Sequence, residues 1–333
     1  MYLQFQSEIL KAAANSKLHH LSEMQGQGPK GEALCTDYFY THEKKSRCLV
    51  HISGVHGVEA YLGSMIQREI LKWKWASQDP NTLPYQVVIV HAVNPWGMAN
   101  FQRGNAANVD LNRNSLQNYR IENPEFAKFE AFLQKGNAKD LLKLLPTIFS
   151  LGFEKTVRTV ACGQTEFPKS LFFAGKKMQP EILSLKENLK KIIAPNAEVF
   201  FIDVHTGLGK NKQESLILDG FETLSDTAKE PEETFFQRVF QSPLVIPGRD
   251  RGTYRADGVL ALSMKQMWGR DKVRYVMQEF GTAAFYQVLN ALILRRPAKL
   301  REAFFPEDSE WRQHCVKLGL LRFMQMIETM ESK

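Results

Sequence analysis

Six short apolar runs set the frame of this chain: CLVHIS (48–53), YQVVIVHAV (85–93), AEVFFIDVH (197–205), ESLILD (214–219), PLVIPG (243–248) and VRYVMQEFG (273–281). Each is bounded by glycine or polar residues. Segments of helical period lie between them, notably VEAYLGSMIQREILKWKWA (58–76), PEILSLKENLKKII (180–193) and TAAFYQVLNALILRR (282–296). Runs that are apolar at consecutive positions suit strands buried on both faces, and their alternation with helices predicts an α/β sheet covered on both sides. Ligands gather at the carboxyl ends of strands in such sheets, so the residues that close these runs are the candidates for function.

The stretch from about Leu116 to Ala194 holds short helical segments and an irregular loop, GQTEFPKSLFFAGKKMQP (163–180). It reads as an elaboration inserted between core strands. No repeat or linker divides the chain, so one catalytic domain over 1–333, with an insertion at about 116–194, is expected. A chain of 333 residues that is 44% hydrophobic can bury a full core.

Composition excludes several classes. The formal charge is +7, but acids are interleaved with bases in blocks such as EKKSR (43–47) and KENLKK (186–191). No basic aromatic platform is apparent, so nucleic-acid binding is not expected. Cys35, Cys48, Cys162 and Cys315 are far apart and form no CxxC pair, which argues against a cysteine zinc cluster or a disulfide framework. No apolar run approaches the roughly 20 residues of a bilayer span, and the first residues lack a basic start followed by an apolar run. A soluble, cytoplasmic protein with no membrane partner is expected.

SGVHGVEAYLGS (53–64) places His56 and Glu59 three residues apart where a strand gives way to a helix. That spacing puts both side chains on one helical face, where they could supply part of a zinc site. Taken alone, Glu59 could equally complement the helix dipole. Gly54 and Gly57 would let the backbone turn tightly enough to aim His56. A third ligand should come from another strand end, and His205 closes AEVFFIDVH ahead of Thr206 and Gly207. The strand period sets Asp203 on the same face as His205, either as a partner for its ring or as a structural residue. None of the other histidines (His19, His20, His42, His51, His91, His314) has a comparable setting, and His51 reads as an inward strand residue. Glu279 ends an apolar strand, where a carboxylate must be paired, solvated or functional.

The ordered series HGVE, NPWG, Arg103, VDLNRN (109–114), DVHTG and MQEFGT resembles the zinc carboxypeptidase family of the carboxypeptidase A type. The extended forms SGVHGVEAYLGS and DVHTGLG resemble an uncharacterised branch near the succinylglutamate desuccinylase and aspartoacylase group. The resemblance covers about Val50 to Thr282. It implies a mixed, mostly parallel central sheet and one zinc per chain held by His56, Glu59 and His205. It also implies that Glu279 activates the attacking water and shuttles its proton to the leaving amine. Arg103 would stabilise the developing oxyanion, and Asn112 with Arg113 would grip a terminal carboxylate. Tyr254, in TYRADGVL (253–260), resembles a tyrosine that caps substrate, although an ordinary tyrosine reads as well there. Ala261 would fall near the position that sets side-chain preference, and Asp110 and Asn114 would hold the turn.

The implied activity is amide hydrolysis next to a free carboxylate, with a small peptide as substrate. The related branch would instead cleave N-acyl amino acids with the same residues. A non-catalytic binding module would have lost a ligand or the glutamate, and neither is missing. Two positions depart from the pattern. Asn108 stands where glycine is usual, which a residue tolerant of positive φ can satisfy. Ser115 stands where an aromatic is common.

Overall fold

The computed structural model describes residues 1–73, 76, 78, 79, 82–135, 145–219, 230–250 and 253–332. Lys74 and Trp75 of the segment read as helical, and residues 136–144 of the expected insertion, lie outside the described residues. The strands are β1 (His19–Gln27), β2 (Ala33–Tyr40), β3 (Arg47–Ser53), β4 (Gln86–His91), β5 (Glu198–Gly207), β6 (Glu214–Ile217), β7 (Leu244–Val245) and β8 (Val273–Gly281). They form one sheet in the order β1-β2-β4-β3-β5-β8-β6-β7. Its centre, β4-β3-β5-β8, is parallel, and β1, β2 and the β6–β7 pair join it through antiparallel contacts.

All six apolar runs lie in this sheet. β1 and β2 were not among them, for a physical reason. β1 is an edge strand whose residues alternate between exposed and half-buried, so it carries no apolar run. β7 keeps only two residues of its run before the chain turns at Pro247.

The helices are α1 (Tyr2–Ala14), α2 (Ala60–Lys72), α3 (Pro95–Asn100), α4 (Ala127–Lys135), α5 (Leu145–Leu151), α6 (Phe153–Ala161), α7 (Pro180–Ile192), α8 (Glu232–Phe240), α9 (Leu260–Trp268), α10 (Phe285–Leu294), α11 (Pro297–Phe304) and α12 (Ser309–Glu331). Period-two alternation along the central strands divides the core. Leu49, Phe200, Ile202 and Val204 face α1, α2, α8 and α12, whereas Cys48, Val50, Ile52, Val199 and Phe201 face α7 and α9. A third cluster joins α4 and α6 to α10 and α11 through Phe126, Phe129, Val160, Val288 and Phe304, and it includes Val58 beside Glu59. Helices of the 116–194 stretch therefore pack against the turn that carries two of the expected ligands. Among the described residues, no helix is long and apolar enough to cross a membrane.

Beneath that turn lies a buried polar cluster. Gln67 of α2 donates to His51 Nδ1 at 3.3 Å, and Ser53 and Ser64 approach the His91 ring at 3.3 Å. Burial lowers both His51 and His91 to about 4. The unfolded chain takes up these protons below about pH 6.5, whereas the folded rings refuse them until about 4. Stability from this source is thus complete above pH 6.5 and falls as the pH drops toward 4. The expected loss at pH 5 is on the order of 1–2 kcal/mol per ring. Urea unfolding at pH 7 and pH 5 should show this drop, and His51→Gln should reduce it by about half, leaving the His91 share.

Candidate metal centre and active site

The HGVE turn is built by close backbone approach. Gly54 adopts φ +73, which only glycine takes without strain, and carries the chain off β3. Gly57 instead supplies room, because a Cβ there would stand 2.1 Å from the Gly97 carbonyl carbon. Gly57 and Val58 donate their amides to the Arg103 and Gln102 carbonyls at 3.2 and 2.9 Å. The NPWG segment accepts this contact because Asn94 Oδ1 caps Gly97 N at 2.8 Å and Pro95 opens α3. His56 ends in an extended conformation, and Glu59 sits in a single 3-10 turn that runs into α2.

His205 closes β5. Its Nδ1 lies 3.2 Å from His56 Nδ1 and 3.2 Å from Glu59 Oε2, while Glu59 Oε1 lies 3.1 Å from His56 Nδ1. Ligand atoms of His56, Glu59 and His205 all fall within 4.8 Å of one another, and the three side chains are at most 3% exposed. The far nitrogen of each ring is held by an aspartate. His56 Nε2 donates to Asp110 Oδ1 at 3.1 Å, and His205 Nε2 donates to Asp203 Oδ2 at 2.9 Å. These contacts point both Nδ1 lone pairs into the same small space, where a proton or a cation must lie between them. A carboxylate behind each imidazole is the arrangement that orients metal-binding histidines. The donor set of two imidazoles and one carboxylate fits a divalent zinc-like ion.

Electrostatics follow from burial and proximity. Burial alone would raise Glu59, but His56 and His205 hold it well below the carboxylate range. Burial likewise opposes the His205 cation, yet Asp203 and Glu59 push its pKa well up, so a metal would take the place of that proton. Arg103 Nε donates to Asp110 Oδ2 at 3.0 Å, and its Nη1 approaches Glu59 Oε1 at 3.4 Å. Burial followed by Arg103 and His56 decides Asp110, and the cations win, keeping it ionised.

Glu279 lies directly opposite His205 in the β5–β8 register. Its Oε1 accepts from Leu208 N at 2.8 Å. Burial, reinforced by Glu59, raises it to about 7, and a bound cation would draw it back down.

These groups line one cavity of about 550 Å³, together with Asn112, Arg113, Phe172 and Tyr254. Asn112 Oδ1 accepts from Leu260 N at 2.9 Å, which leaves the Asn112 amide nitrogen directed toward Met277 Sδ at 3.7 Å. Arg113 gives Nε and Nη2 to the Ala161 carbonyl and Nη1 to the Asn112 carbonyl, so two of its five N–H groups remain. Burial raises the Tyr254 phenol, and the charges of Arg113 and Arg103 oppose that rise.

The structure thus brings all eight expected site residues to one cavity. Ala261 is the exception among the positions singled out. It lies in the first turn of α9, packed into the core with Val259 and Met264, and the cavity wall is formed instead by Ile217, Val245 and Met277. Asp110 does more than hold the turn: it also fixes His56 and Arg103. Asn108 adopts φ 58, as a glycine replacement must, and its side chain binds the Pro168 and Ser170 carbonyls.

A family model described as a protein of unknown function, DUF2817, matches residues 1–318. The chain belongs to the DUF2817 family. The matched span of this DUF2817 protein includes the whole 116–194 stretch. No curated protein matches the sequence. Among solved structures, a provisionally assigned carboxypeptidase A from Shewanella denitrificans OS-217 aligns at 12% identity, over 98% of this chain and 69% of its own, with a TM-score of 0.52. Thrombin activatable fibrinolysis inhibitor aligns at 14% identity, over 95% of this chain and 74% of its own, also with a TM-score of 0.52. The fold of this DUF2817 member is the zinc carboxypeptidase fold.

Gly57→Ala should force the HGVE turn away from α3. Its unfolding free energy should fall by about 1–3 kcal/mol or more in urea titration.

Proposed function

We propose that the chain is a zinc-dependent hydrolase of an amide bond next to a free carboxylate, a carboxypeptidase for a small peptide or peptide-like substrate. The observation that carries this reading is the meeting of His56 Nδ1, His205 Nδ1 and the Glu59 carboxylate beside Glu279 and two arginines in one cavity. One zinc per chain is the ion we assign to these three ligands. When bound, zinc supplies Lewis acidity toward a carbonyl and lowers the pKa of water.

The remaining groups act around it. Glu279 takes a proton from the attacking water and passes it to the leaving amine, a role suited to a carboxylate whose proton affinity burial has raised. Arg103, held by Asp110 and Glu59, presents a fixed positive charge where the oxyanion develops, without reorganising during the reaction. The remaining Arg113 N–H groups and the Asn112 amide hold the substrate carboxylate. Tyr254 covers the substrate from its loop between α8 and α9. An N-acyl amino acid presents the same carboxylate beside its scissile amide, so a deacylase would use the same residues. Substrate decides between them.

Purified protein should contain close to one zinc per chain by elemental analysis. His56→Ala, Glu59→Ala and His205→Ala should lose it, and full zinc occupancy in His205→Ala would overturn the ligand set. Glu279→Gln should retain zinc while kcat falls by a factor on the order of 10²–10⁴. A hydrolysis screen over C-terminal peptides, γ-linked cell-wall peptides and N-acyl amino acids supplies the substrate for that measurement.

A further inference from the structure

Phe172 belongs to the irregular loop that follows α6, outside every motif that suggested a function. Its φ is 53°, in the left-handed region that bulky residues avoid and glycine or asparagine takes readily. Hydrogen bonds on all sides hold it there. Gln164 N donates to the Phe172 carbonyl at 3.1 Å, Asp110 N to the Phe173 carbonyl at 2.8 Å, and Asn114 Nδ2 to the Ala174 carbonyl at 2.7 Å. A loop so determined would accept glycine at this position with less strain. The side chain is what the position requires.

The ring lines the cavity, with Arg103 Cζ 5.3 Å and Arg113 Cζ 5.7 Å from its centroid. Hydrogen bonds secure the edges of the two guanidiniums: Arg103 through Asp110 and Glu59, and Arg113 through the carbonyls of Ala161 and Asn112. Among the described residues, Phe172 is the one aromatic ring that meets both cations with its face. Its negative π cloud offsets the repulsion between two like charges that share a partly desolvated cavity.

We propose that Phe172 is a positioning residue that fixes the spacing of Arg103 and Arg113, so that one substrate meets both cations at once. It makes the 116–194 stretch a contributor to carboxylate recognition. This inference rests on the hydrolase reading only for the assignment of Arg113 to the substrate carboxylate.

The test uses zinc-loaded protein carrying Glu279→Gln, alone and combined with Phe172→Leu, Phe172→Trp or Phe172→Gly. Each is titrated calorimetrically with an N-acyl dipeptide and with its C-terminal carboxamide. Phe172→Leu keeps an apolar side chain but no π face, and should weaken carboxylate binding about tenfold while changing the carboxamide far less. Phe172→Trp should restore affinity to within about twofold. Phe172→Gly, relieved of strain, should melt no lower than Phe172→Leu yet bind the carboxylate as poorly. Unchanged carboxylate affinity in Phe172→Leu overturns the proposal, and so does a Phe172 parent that does not prefer the carboxylate. Cleavage of the same dipeptide by zinc-loaded protein with Glu279 intact is scored separately. A binding preference with no cleavage of this dipeptide or of any substrate in the hydrolysis screen removes the hydrolase reading and leaves the role of the ring standing.

Discussion

The site hangs on one buried carboxylate. Asp110 Oδ1 accepts from His56 Nε2 and from Asn112 N, and Oδ2 accepts from Arg103 Nε. A single side chain thereby sets the orientation of a ligand ring, the turn that presents Asn112 and Arg113, and the direction of the cation that faces Glu59. Burial would ordinarily neutralise such an aspartate. Arg103 and His56 keep it ionised, and the ionised form is what can accept from three donors at once. Arg103 and His56 also both reach Glu59, so the two carboxylates share the same pair of partners.

The sheet supplies the second constraint. β3, β5 and β8 lie side by side and parallel, so their carboxyl ends open on the same edge. The turn after β3 brings His56 and Glu59, β5 ends with His205, and the β5–β8 register sets Glu279 opposite His205. Asp203 is one pleat below His205 on the same face, and it also accepts from Tyr275 on β8 at 2.6 Å. A slip of one residue between β5 and β8 would turn Glu279 away from the cavity, because side chains alternate along a strand. The 116–194 stretch adds to the enclosure: α6 and the following loop bring Val157 and Phe172 to the cavity wall, and its helices share a core with α10 and α11.

Much of this was legible before folding was considered. The six apolar runs mark the strands that carry and flank the site, since burial on both faces leaves a strand no exposed positions. His205 and Glu279 stood at run ends, where a polar residue needs a reason, whereas His56 and Glu59 follow a run at a spacing that gained its meaning from the motifs behind it. β1 was illegible because an edge strand lacks that apolar signature, and β2, an inner strand, because Thr36 and Asp37 interrupt its apolar run. Ala261 does not reach the cavity because α9 begins at Leu260, and the first turn of that helix rotates residue 261 into the core. The contribution of Phe172 had no local signal at all, since a phenylalanine in a polar loop looks the same whether or not two arginines lie over it.

The sequence by itself determined the layered α/β architecture, the polar residues that end its strands, and the glycine and asparagine positions where the chain must turn. These follow from local chemistry: hydrophobic periodicity, backbone freedom and the cost of burying an unpaired charge. Tertiary structure alone decided that Asp110 would serve three donors, that Gly57 would be needed for room rather than for φ, and that a distant loop would bring the Phe172 ring against both Arg103 and Arg113. Those contacts join residues far apart in the chain, and their energies depend on distance and desolvation that exist only once the strands have paired.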